Sequence, residues 1–443
     1  MTDRTYENLP TLIGELKRSA IDAYMKSQGW HIDDGNKYHL GDNYVTRPGG
    51  DGQGGGDWSW SGFWDIGNEG QDAKWRAAFD SVRSNIDSTL KKWLDLPDTA
   101  TLLADDIEQM RQANRLLSFS PSGGTGGGNI PGYLQGINSN LHAMSGTTIA
   151  TFKAEFLLQL EKAIGGHHGI TVILGGALAA TNEIWIRARK TVADIVGETQ
   201  KALDAYANGG GISWEVVLQV AGYAVEGVGL FATGGASTAL KGAGQGLKIL
   251  TDTTTKKGEK ATTPSLDYEG LMKGLGKALD DLSNAIKAEE DALAENLTTN
   301  IGKVRADQSS YDLKRPALLD ISDDSQANII IITRALVDEI TRTYLPLIAD
   351  DLDSARSQAY LATYEAYRDG SIGRGYNGIS SEFSDFQWIL IDLIRDLSWE
   401  TRNGAKTLEL AIEDIGRADT DAEDALEAHH RKVKEGSGAT PWD

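Results

Sequence analysis

Residues 271–304 read LMKGLGKALDDLSNAIKAEEDALAENLTTNIGKV, and their spacing decides the fold class. Leu271, Leu275, Leu279, Leu282, Ile286, Leu293, Leu297, Ile301 and Val304 recur mostly at three- and four-residue steps, the period of one helical face. Ala, Lys, Glu and Asp fill the other positions, so the segment predicts a long helix whose near-heptad stripe packs on another long helix. The same period runs outward in both directions. Downstream, Pro316 breaks the helix, and Asp323 and Asp324 mark the start of another that carries Ile329, Ile332, Leu336, Ile340, Leu347 and Leu361, with a kink expected at Pro346. A loop, GSIGRGYNGIS at 370–380, precedes a last helix expected from Glu382 to about Lys434. Its stripe is Phe383, Phe386, Leu390, Leu393, Leu397, Gly404, Leu408, Ile412 and Ile415.

Upstream, residues 11–27 predict a first short helix, followed by a loop rich in Gly and Trp at 49–70. Trp75, Phe79, Val82, Ile86, Leu90 and Trp93 form the next stripe. Pro97 and Asp98 end that helix and start another, reaching about Leu117. A helical stretch from Ile149 to Tyr206 is expected to be interrupted at Gly165, Gly166, Gly169, Gly175 and Gly176. No alternating run long enough to announce a strand is seen. The expectation is therefore all-α, an elongated bundle of long antiparallel helices with a C-terminal helical hairpin. The expected divisions are an N-terminal helical region (1–120), a Gly-rich linker (121–132), a helical region ending in a Gly/Ala-rich apolar segment (133–250), a polar linker (251–264), and a long helix plus hairpin (265–443).

Composition narrows function. The chain has 443 residues, 43 basic against 64 acidic side chains and no cysteine. A net charge of −21 argues against a phosphate-binding face, hence against a nucleic-acid partner. The lack of cysteine excludes disulfides, thiolate zinc sites and a cysteine nucleophile. The N-terminal stretch is amphipathic and has no basic start, apolar run and cleavage site, so export by a cleavable signal peptide is not expected. No run of about 18 uninterrupted apolar residues announces a membrane span. The nearest approach, 216–232, contains Gln219 and Glu226.

The hairpin at 323–434 carries Tyr376-Asn377-Gly378 in its turn, where glycine permits a positive φ and a large aromatic can cover the hairpin end. About forty residues later comes Arg417-Ala418-Asp419-Thr420-Asp421. This arrangement resembles the WXG family of type VII (ESX) secretion substrates and its longer actinobacterial relatives, helical hairpins with Trp-x-Gly in the turn and a Tyr-x-x-x-Asp/Glu export signal near the end of the second helix. The acidic position of that signal maps onto Asp421, while Arg417 stands at the Tyr position and Tyr376 at the Trp position. A true Trp-x-Gly, Trp60-Ser61-Gly62, lies between the first helix and the long amphipathic one. The resemblance implies a non-enzymatic secreted or secretion-associated protein, cytoplasmic before export and cell-surface or extracellular afterwards, whose partners are the type VII machinery or a helical-hairpin protein, with homo-oligomers among its forms.

Chemistry-bearing patterns are sparse. No His at i and i+4 with an adjacent Glu forms a zinc-protease helix, and neighbouring His167–His168 and His429–His430 diverge on a helix. Neither a Gly-Lys-Ser/Thr ending nor a Gly-x-Ser-x-Gly elbow occurs. No catalytic, cofactor or metal residue is therefore assigned. Adjacent carboxylates such as Asp105–Asp106, Glu289–Glu290 and Asp350–Asp351 read as solvated faces. Trp58, Trp60, Trp64 and Trp75 read as a buried plug over a bundle end, with a carbohydrate or partner surface and a membrane-interface anchor as alternatives. The alternative function is an α-helical pore-forming protein in which 212–250 inserts in a membrane, with Val216, Gly222, Gly227, Gly229 and Phe231 as the candidate membrane or oligomer segment. A cytoplasmic scaffold or hydrolase is the third reading.

Overall fold

A computed structural model describes residues 3–33, 35–60, 69–118, 128–215, 217–218, 259–260, 264–313 and 331–436. Within them the chain is mostly helical, as the periodicity predicts. Helix α1 (Leu9–Ser27) starts with a proline in its first turn, where the missing N–H costs nothing. A small antiparallel sheet follows: β1 (His31–Ile32), β2 (Lys37–Leu40), β3 (Asn43–Thr46) and β4 (Trp58–Trp60), paired in chain order. The sequence expectation contained no strands, and this meander is the larger of two small sheets that the structure adds. It is tied to α1 through buried Asp22, which accepts hydrogen bonds from the Tyr38 hydroxyl at 2.5 Å and from Arg47 Nε at 2.8 Å. Tyr38 and Val45 turn inward and are fully buried.

Next come α2 (Glu69–Leu90), α3 (Thr99–Leu102), α4 (Ala104–Leu116) and α5 (Ile130–His142). The central element runs unbroken from Thr147 to Ala207 as α6 (Thr147–Thr151), a π turn (Phe152–Leu157) and α7 (Leu158–Ala207). The expected interruptions at its glycines do not occur. Gly165, Gly166, Gly169, Gly175 and Gly176 are buried against neighbouring helices, and that packing offsets a helix penalty of about 1 kcal/mol each. This helix is long and apolar enough to cross a membrane, yet 78% of its most apolar window is buried inside the protein, which is what a core helix requires.

Short strands β5 (Val217–Leu218) and β6 (Glu259–Lys260) pair antiparallel. Helix α8 (Tyr268–Ala306) is capped by Asp267, whose side chain accepts from Gly270 N at 2.6 Å, and it buries the whole stripe from Leu271 to Val304. Pro316, Asp323, Asp324 and Ile329 lie outside the described residues. Helix α9 (Arg334–Glu339) passes through a π turn (Ile340–Tyr344) into α10 (Leu345–Leu361). Pro346 cannot donate to the preceding turn, and the helix absorbs this as the π turn immediately before it. The last helix, α11 (Ser380–Gly436), has 57 residues.

One apolar core joins these elements, drawing Leu16 from α1, Trp185 from α7, Leu282 from α8 and Phe386 from α11. Helix α7 packs on α1, α4, α8 and α11, and α10 packs on α11 and α4. Gly404 lets α11 approach closely, because the Phe156 ring occupies the space a Cβ would need.

Candidate functional site

Helices α10 and α11 form the C-terminal hairpin. Ala349 accepts from the Ser398 hydroxyl at 3.2 Å, and Ala359 from Gln387 Nε2 at 2.7 Å, so α11 runs back along α10 in the opposite direction. Arg402 on α11 reaches Asp350 at 2.7 Å and Asp353 at 2.9 Å on α10.

The connection is longer than the loop expected at 370–380, since α10 ends at Leu361 and α11 starts at Ser380. Residues 362–369 are extended, with Ala362, Tyr364, Ala366 and Arg368 buried and Thr363, Glu365, Tyr367 and Asp369 exposed. Thr363 fastens this run to α4, its N–H and hydroxyl both donating to Asp106, at 2.7 and 3.0 Å. At its end Arg368 forms an ion pair with Glu290 of α8, both side chains at most 2% exposed. The guanidinium lies 4.8 Å from the centre of the Trp185 ring, and Arg374 N donates to Glu290 at 2.9 Å. Burial pushes the Glu290 carboxyl up, and Arg368 opposes that shift. Glu289 and Glu290, expected as a solvated pair, are thus both buried.

The turn wraps this ion pair. Gly373 (φ 59°) and Gly378 (φ 55°) adopt the left-handed region. A Cβ at Gly373 would stand 2.5 Å from Glu290 Oε2, and one at Gly378 would stand 2.6 Å from the Tyr364 hydroxyl. Gly378 therefore meets both the conformational and the spatial reading. Tyr376 does not cover the hairpin end: it is 60% exposed and stacks on Tyr367 with centroids 5.3 Å apart. Ile372 and Ile379, both fully buried, close the turn instead.

The N-terminal motif is divided. Trp60 sits on β4 and is 45% exposed, and Gly62 and Trp64 lie outside the described residues. Trp75 is buried edge-on against Trp30, and Trp58 is half-buried on the core, so the three described tryptophans of this group, Trp58, Trp60 and Trp75, do not form one buried plug. Arg417 is exposed on α11 and pairs with Glu413 at 3.7 Å and Asp414 at 3.8 Å. Asp421 follows one turn later on the same helix. Val216, Gly222, Gly227, Gly229 and Phe231 lie outside the described residues.

Among the described residues, the histidines and hydroxyls suited to catalysis do not converge. His167 and His168 are buried on α7, and burial pushes both imidazoles down to about 4. His167 Nε2 lies 2.8 Å from the Tyr311 carbonyl. Among the described residues no three His, Asp or Glu side chains are grouped to hold a metal. An open cavity of about 560 Å³ is lined by Ser88, Thr89, Lys91, Lys92, Asp280 and Asp369, among others. The Ser88 and Thr89 hydroxyls both donate to the Asn85 carbonyl, which leaves neither aimed at a base.

What α11 does present is a second, outward stripe that the core periodicity hid. Trp388 is 53% exposed, Trp399 67% and Leu410 59%. They are spaced 11 residues apart, just over three full turns, so they share one face. Tyr360 of α10, also exposed, meets Trp388 edge-on at 5.9 Å. Comparisons with protein-family models, with curated proteins and with solved structures each return no match. Function therefore rests on the chain's own residues.

Proposed function

We propose that the protein is a non-enzymatic, secretion-linked helical protein that acts by protein contact through the outward face of its C-terminal hairpin. The observation that carries this is the exposure of Trp388, Trp399 and Leu410 on one side of α11, whose opposite side is core from Phe383 to Ile412. Large exposed aromatics are costly to leave in water and are the residues that most often dominate interfaces. Charged residues interleave with them, including Asp392 and Arg395, which keeps the isolated face soluble and would set partner choice.

The secretion part of the proposal draws on the resemblance to type VII substrates. The long antiparallel hairpin, the left-handed Gly378 in its turn and the position of Arg417 and Asp421 late in α11 support it. The partners are then the type VII machinery or a helical-hairpin protein, and the site of action is outside the cytoplasm. Comparing secreted fractions from host cells with and without the type VII ATPase tests this. ATPase-dependent export is the expected result, and export unchanged by loss of the ATPase would contradict it.

A further inference from the structure

The outward stripe of α11 has a symmetry that names its occupant. Trp388 and Leu410 stand equally far, 11 residues, on either side of Trp399. So do Asp392 and Lys406, at 7 residues, and Asp396 and Arg402, at 3. At about 100° per residue, Trp388, Asp392, Lys406 and Leu410 all lie within about 20° of the direction of Trp399. These four positions are exposed.

We propose that a second copy of this chain docks on this face, with the two α11 helices antiparallel about a two-fold axis at Trp399. The proposal rests on the contact reading above and specifies its partner. In that arrangement Trp399 meets its own copy, Trp388 meets the partner's Leu410, and Asp392 meets the partner's Lys406, each contact occurring twice. The apolar contacts then span about 33 Å of helix. Asp396 meets the partner's Arg402, which two carboxylates of its own chain, Asp350 and Asp353, already hold. Asp392 is held only by Arg395 one turn away on the same helix, an exposed pair worth little in water, so the discriminating charge pair is Asp392 with Lys406. A parallel pairing would set Asp392 against the partner's Asp392 and Lys406 against the partner's Lys406. Charge therefore selects the antiparallel form.

Sedimentation equilibrium on the full chain tests this. The wild type should rise with concentration from 47.7 kDa toward twice that mass. Asp392→Lys alone and Lys406→Glu alone each place like charges together twice and should remain monomeric at concentrations where the wild type is dimeric. An equimolar mixture of the two should dimerise again, because both 392–406 contacts in the mixed pair are then opposite in sign. This recovery also shows that neither variant is merely misfolded. A wild type that stays monomeric, single variants that dimerise as the wild type does, or a mixture no more associated than its components would overturn the proposal. Vesicle binding by a monomeric wild type that Trp399→Arg abolishes would overturn it in favour of a lipid partner. None of these outcomes bears on ATPase-dependent export, so the secretion reading stands or falls separately.

Discussion

Arg368 is held between Glu290 and Trp185, its guanidinium paired to the carboxylate and 4.8 Å from the indole centre, with no more than 2% of either charged side chain exposed. The pair locks the hairpin connection onto α8 and α7, and removing one partner leaves the other charged and buried. Glu290→Gln should therefore destabilise the fold by about 3–5 kcal/mol. Urea unfolding followed by circular dichroism would measure this. A loss below about 1 kcal/mol would mean that the pair is not sealed from water.

The turn separates two roles that its tripeptide joins in sequence. Gly378→Ala forces a side chain into the left-handed region and against Tyr364 and Arg368, and should cost at least 1–2 kcal/mol from backbone strain alone, roughly. Tyr376→Ala removes an exposed ring and should change stability by about 0.5 kcal/mol or less. The opposite ranking in thermal melts would restore the aromatic as the residue that closes the hairpin.

Glu400 on α11 faces Asp312, and burial followed by the charge of that second carboxylate pushes it up from 4.5 to about 7. Between those values the folded state keeps a proton that the unfolded chain releases, so this group's stabilising contribution is present below about pH 4.5 and is lost as pH rises through 7. Glu400→Gln should raise the melting temperature relative to wild type at pH 8 and narrow that difference toward pH 5. A difference that does not vary with pH would show that neither burial nor Asp312 raises the Glu400 carboxyl.

His167 titrates with the opposite sense. Its folded value of about 4 lies below the ordinary 6.5, so its contribution is present above 6.5 and is lost as pH falls through 4. The imidazole resonances of His167 and His168 should remain those of neutral rings at pH 5.5 in an NMR titration. Titration of either buried ring near 6.5 would mean that water reaches the middle of α7.

The long helices were legible because one face repeats over many turns, as from Leu271 to Val304 and from Phe383 to Ile412. The sheet was not, because its strands have only two to four residues and alternation over so short a run carries little signal. A local cue was present in Gly41-Asp42, a two-residue turn between the aromatic-bearing runs KYHL and NYVT, where Leu40 pairs with Asn43. Glu290 was read as solvated because adjacent carboxylates on a helix usually are, and its partner Arg368 lies 78 residues away on an extended segment. The outward stripe was hidden for a different reason. Trp388, Trp399 and Leu410 are spaced by 11, and a search for three- and four-residue steps passes between them.

The outward face of α11 as a contact surface between two copies can be read directly by cross-linking, since the chain has no cysteine of its own. In the antiparallel pair Arg395 faces the partner's Asn403, whereas like positions lie about 12 Å apart along the helices. Arg395→Cys and Asn403→Cys, mixed and oxidised, should give a disulfide-linked dimer on a non-reducing gel in far higher yield than either variant alone. Equal yields from the mixture and from the separate variants, or no cross-link in any of them, would contradict it.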